Sequence, residues 1–257
     1  MIKYRTPILR GLSVASLAAA FLIPGMPQPL EYHDFADRRA MFGVANFVDV
    51  ASNAAFLLAG LAGLLVVLRR SAAFQRPAER WPYVIFFVGM LLTAAGSAYY
   101  HLAPDNERLF WDRLPMTVAF MSLIAAQVVD RIHVRTGLLW LVPMLLVGAA
   151  SVLYWRATEL AGAGNVIPYG VLQAYAVLML LLITVLHPSR YSRGVDIYWV
   201  FAAYLGAKLF ETLDRQLFLA GGLVSGHSLK HVAAAVAGII VARMLWRRGL
   251  VSPIPAH

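Results

Sequence analysis

Cysteine is absent from the chain, and charge is scarce: Asp, Glu, Lys and Arg together supply 14% of its 257 residues. The first absence excludes disulfides, thiolate nucleophiles and thiolate metal ligands, leaving histidine and carboxylate for any transition-metal site. The second excludes an ordinary soluble domain, in which about a quarter of the residues are charged. Nucleic-acid-binding motifs are also missing, so the formal net charge of +9 reads as an orientation signal and an attraction to anionic lipid. No internal repeat and no soluble insertion interrupts the chain. What remains is 60% hydrophobic, the composition of a polytopic membrane protein whose solvent is largely lipid.

A helix needs about 20 apolar residues to cross roughly 30 Å of hydrocarbon. Eight segments are expected to do so: Ile8 to Pro24, Asn46 to Leu68, Trp81 to His101, Leu114 to Val129, Gly137 to Trp155, Ile167 to His187, Val195 to Thr212 and Ser228 to Trp246. The fourth is short and is expected to start earlier, near Phe110. Lys3, Arg5 and Arg10 make the first segment resemble a secretory signal. No small-x-small cleavage site follows before Pro24-Gly25-Met26-Pro27, so an uncleaved helix is expected.

Basic loop residues are retained on the cytoplasmic side of a membrane. With the N-terminus inside, the inner side holds Lys3, Arg5, Arg10, Arg69, Arg70, Arg76, Arg80, Arg131, Arg135, Arg190, Arg193, Arg243, Arg247 and Arg248. The outer side holds only Arg38, Arg39, Arg108, Arg113, Arg156 and Arg215. Both termini are therefore expected in the cytoplasm.

This topology brings five polar residues to the outer ends of three spans. Ser97-x-x-x-His101 closes the third, Asp112 opens the fourth, and His227-x-x-x-His231 opens the eighth. Residues four apart share one helical face, so each pair can address a common point. Three imidazoles plus a water form the usual catalytic zinc site, with one position open to substrate. Imidazole equally suits copper, iron and nickel. In such a site Asp112 would serve as general base and proton shuttle, and Ser97 as a hydrogen-bond donor. Taken singly, each residue has a plainer role: a hydrogen-bonded histidine tip, a small packing serine, an acid at a helix start. Their conjunction on one side argues for a shared metal site. Lys208 and Glu211, three apart, are expected to form an ion pair. Asp214 is the candidate carboxylate behind a ligating imidazole, and Lys230 is expected to point away from the histidines and snorkel.

The pattern Ser97-x-x-x-His101, Asp112 eleven residues on, and His227-x-x-x-His231 at the last helix resembles the alkaline ceramidases of the CREST superfamily of membrane hydrolases. The stretches Tyr32 to Asp37, Asp49 to Asn53 and Ser225 to His231 resemble bacterial members. The resemblance covers Asn46 to Trp246 and implies an all-α seven-transmembrane-helix core. The chain would then divide into an additional N-terminal hydrophobic helix (1–30), the ceramidase-like domain (31–248) and a cytoplasmic tail (249–257), in a bacterial inner membrane with the site toward the periplasm. It further implies zinc on His101, His227 and His231, with Ser97 and Asp112 assisting the attacking water. The implied reaction is hydrolysis of a membrane lipid amide such as ceramide to fatty acid and amine. The family's calcium site maps in part onto Asp37 and Asn46, while Tyr32, His33 and Phe35 stand where other ligands would be. The alternative within the superfamily is a lipid receptor or sensor with a structural metal, like the adiponectin receptors.

Overall fold

The structure, a computed structural model, describes residues 5–251. Lys3 and positions 252–257 of the expected tail lie outside the described residues. In chain order the helices are α1 (Arg5–Leu22), α2 (Phe47–Ser52), α3 (Ala54–Arg69), α4 (Trp81–Leu102), α5 (Asn106–Arg131), α6 (Val134–Leu160), α7 (Ile167–Leu186), α8 (Asp196–Thr212), α9 (Asp214–Gly221) and α10 (Gly226–Arg247). Among the described residues there is no strand, only isolated bridges. The protein is an all-helical bundle, as its long apolar runs require.

Six stretches are long and apolar enough to cross a membrane: Phe47–Arg69, Pro77–Leu102, Asn106–Arg131, Val134–Leu160, Ile167–Leu186 and Gly226–Arg247. This corrects the expected eight. α8 has 17 residues, which at 1.5 Å each reach only about 25 Å, and it carries Lys208 and Glu211. α1 places Arg5 and Arg10 within its 18 residues, diluting its apolar run. The expected fourth span in turn begins earlier than its apolar run suggests, at Asn106, where Asp105 caps the helix by accepting the Arg108 N–H.

Large apolar side chains such as Leu58, Leu65, Leu139, Val142 and Leu146 face outward. Such a surface suits lipid and would be a liability in water. Between helices the contacts depend on small residues. Gly63 on α3 lies against the Phe87 ring of α4, and Gly96 on α4 lies against the Trp111 carbonyl of α5, so a Cβ at either would collide. The Gly96 approach sets α4 and α5 close together beside Ser97 and Asp112. α1 packs on α7 at the bundle's flank, where the hydroxyls of Ser13 and Tyr175 lie 3.3 Å apart.

At the end of the bundle where α10 finishes, buried charges lock the connections. The Arg248 side chain is 1% exposed and pairs with Asp130 of α5, also hydrogen-bonding the Ala73 carbonyl at 2.9 Å and stacking 4.1 Å over Tyr191. Glu79 is flanked by Arg190 at 3.5 Å and by the Tyr191 hydroxyl. Burial, and then the hydrogen bond to Glu79, push the Tyr191 phenol up to about 12, so it remains a donor. The first tail residues join this lock: the Ser192 and Val251 N–H groups donate to the carbonyls of Gly249 and Arg190.

Candidate metal centre

At the opposite end, His101 near the close of α4 and His227 and His231 in the first turns of α10 converge. All three are buried, their ring centroids stand 4.8, 4.9 and 4.8 Å apart, and one nitrogen from each lies within 4.8 Å of the others. The Nε2 atoms of His101 and His227 face each other at 3.2 Å. Two nitrogens bound at about 2.0–2.1 Å to a tetrahedral ion would stand roughly 3.3 Å apart, so the donors fit a metal ion. Among the described residues this is the one cluster of three or more histidine or carboxylate side chains that can hold a metal, and no Asp or Glu joins it. Three imidazoles with no fourth side-chain ligand leave a coordination position for water or substrate.

Local contacts explain why the histidines point where they do. Ser225 caps α10, accepting the Ser228 N–H at 3.1 Å, and both serine hydroxyls donate to Asp49 Oδ1 of α2. The His227 N–H donates to Asp214 Oδ1 at 2.7 Å, while Asp214 Oδ2 accepts the Ala36 N–H at 2.9 Å. The start of α10 is thereby tied to α2, to α9 and to the loop ahead of α2. Asp214 thus holds the backbone beneath His227; the expected contact with an imidazole is not made, because helix α8 ends at Thr212 and α9 carries Asp214 off its row.

The support for His231 comes from Ser52. Its hydroxyl lies 2.7 Å from His231 Nδ1 and gives its single proton to the Asp49 carbonyl at 2.9 Å. The Nδ1 must then carry the hydrogen and donate to Ser52, which leaves the Nε2 lone pair for a ligand. Ser52→Ala is expected to weaken Zn2+ binding to the metal-depleted protein by roughly 10–100-fold, read by competition titration, with the fold unchanged.

Ser97 and Asp112 line a cavity of about 610 Å³ that His231 also borders. Both stand where α4 and α5 approach closely at Gly96. All five residues singled out in the sequence thus gather at one end of the bundle. Phe35 covers the triad from outside, its ring 4.7 Å from His101 and 4.3 Å from His227. His33 holds that loop in place, accepting from the Tyr100 hydroxyl at 2.8 Å and donating to Asn106 Oδ1 at 2.9 Å.

Asp37 and Asn46, the residues aligned with a calcium site, are engaged otherwise. Both Asp37 oxygens accept from Arg39, at 2.8 and 2.7 Å, and that bond holds the carboxyl below its usual range. Asn46, in a left-handed conformation at the start of α2, gives its amide to the His101 carbonyl at 2.8 Å. That carbonyl is one of the last on α4, which its helix leaves without a partner.

The Lys208–Glu211 pair forms at 2.6 Å, and Lys230 joins it at 3.0 Å on the other Glu211 oxygen. Lys230 therefore faces the cavity wall, contrary to the snorkelling expected of it, because α8 packs along α10 and supplies an anion there.

By fold and site the chain is a membrane helix bundle with a buried three-histidine group at one end whose donors are able to hold a metal ion. No family model matches the chain, and no curated protein matches it.

Proposed function

We propose that the protein is a zinc-dependent hydrolase of a lipid amide, ceramidase-like in its site. The observation that carries this reading is the three-imidazole group with no carboxylate in a fourth position, beside a cavity bordered by an acid and a hydroxyl. A closed four-ligand site would favour a structural metal instead. In this reading the positive-inside bias of the basic loop residues sets the site toward the periplasmic side of a bacterial inner membrane.

His101, His227 and His231 would hold the zinc, which would lower the pKa of a bound water to about 7 and polarise a carbonyl. Asp112 takes the proton from the attacking water and delivers it to the amide nitrogen as the C–N bond breaks and the C–O bond forms. Ser97, beside Asp112, donates its hydroxyl proton to the oxygen on which negative charge develops. The apolar cavity walls hold the acyl chain, so fatty acid and free amine are the products. Calcium has no part in this reading, since the Asp37 oxygens are neutralised by Arg39.

Elemental analysis of the purified protein, paired with mass spectrometry of lipids after incubation, tests the proposal. Asp112→Asn is expected to keep its zinc and lose about 10²–10⁴-fold in amide hydrolysis. Full turnover in that variant, or wild-type protein that holds zinc but cleaves no lipid amide, would sink the mechanism.

A further inference from the structure

One cation on the cavity wall has no anion. Arg113 of α5 is 4% exposed, and its guanidinium carbon lies 4.4 Å from the ring centroid of Trp155, 4.8 Å from Tyr169 and 5.3 Å from Tyr32. Its Nη2 donates to Gln28 Oε1, a neutral acceptor, at 2.5 Å. Its Nε and Nη1 are buried and donate to nothing, and among the described residues no carboxylate pairs with it. Glu159, which shares Gln28 as a neighbour, is taken up by the Gln28 N–H and by Trp155 Nε1.

A buried charge without partner or full hydrogen bonding is costly, and the aromatic faces around Arg113 recover only part of that cost. The other cations of this cavity differ. Lys208 and Lys230 share Glu211, whereas Arg113 stands alone. A carboxylate on the bound molecule supplies the partner that Arg113 lacks. Asp112, Arg113 and His231 line the same cavity, so an anion held by the guanidinium shares the space in which the amide reacts.

We propose that the substrate is an acyl amide whose amine half bears a carboxylate, an N-acyl amino acid, and that Arg113 binds this carboxylate. This rests on the hydrolase reading above and sharpens it. Two probes with one acyl chain separate the charge from everything else: N-palmitoylglycine, and N-palmitoylethanolamine, in which a hydroxymethyl replaces the carboxylate.

The full chain in detergent micelles is expected to favour the glycine conjugate in kcat/KM by roughly tenfold to a hundredfold, the scale of a hydrogen-bonded charge. Arg113→Gln should abolish that preference through KM, leaving zinc content and ethanolamide hydrolysis unchanged. Those two unchanged values also report that the variant has folded. Arg113→Lys, which keeps the charge, should retain part of the preference. Equal turnover of the two probes by wild-type protein, or a preference that survives Arg113→Gln, overturns the proposal. Palmitate that competes in an Arg113-dependent way without any preference between the amides does so too, by assigning the arginine to the product. If neither amide is cleaved, equilibrium binding of the same probes to wild type and variant still decides recognition, and the hydrolase reading alone fails.

Discussion

His101→Ala is expected to reduce bound zinc from about one ion per chain to nearly none and to abolish lipid-amide hydrolysis. His101 supplies the single ligand from α4, and without it the site keeps only the i,i+4 pair of α10, which any helix surface can offer. The loss should exceed the roughly 10–100-fold expected of a supporting contact such as that of Ser52. The surrounding fold does not depend on the imidazole: the His101 carbonyl, which Asn46 holds, is backbone and survives the substitution. Thermal unfolding of the variant should therefore stay close to wild type, whereas zinc analysis and product release both collapse. Retained hydrolysis would refute the mechanism. A variant that loses its fold together with its metal would instead assign the ion a structural role, as in a receptor.

The largest stability effect is expected at the other end. Arg248→Ala leaves Asp130, 4% exposed on its side chain, with only the Tyr83 hydroxyl at 2.6 Å to meet its charge. Removing one partner of a buried pair costs about 3–5 kcal/mol, because the remaining charge stays in a poorly polarisable interior. For a chain of this size that lowers the melting temperature by on the order of 10 °C. Arg247→Ala, one residue earlier and exposed, serves as the control and should change stability by less than about 0.5 kcal/mol. Equal melting curves for the two variants would show that the Arg248 cluster contributes nothing net. Zinc content should be unaffected in either, since the triad lies at the opposite end of α10.

These two ends were not equally legible in the sequence. The apolar runs located every long helix, because a membrane imposes a length and a composition that local reading detects. The triad was legible for a related reason: His227 and His231 at helical spacing, and His101 at the same end of its span, need only the topology to bring them together. What escaped was set by contacts between distant polar residues that leave no periodic trace. Ser52 behind His231, Asp49 gripping two serines of α10, and Asp214 holding the His227 backbone all depend on which helix ends meet. The one signal for Ser52 was its place three residues after Asp49, on one face of a helical turn. Lys230 was misjudged because its own helix gives an angle but says nothing of the anion on α8. The span count fell short for a physical reason too: α8 trades apolar length for the ionic pair that lines the cavity.

The Phe35 ring over two of the three imidazoles has a kinetic corollary. With two imidazoles covered by an aromatic side chain, the hydrolase proposed above would take its lipid from the side, already partitioned into the bilayer. Velocity then follows the two-dimensional density of the amphiphile, its mole fraction among surrounding lipids, and bulk molarity ceases to be the governing variable. Adding inert detergent at constant total substrate would slow the reaction by surface dilution alone.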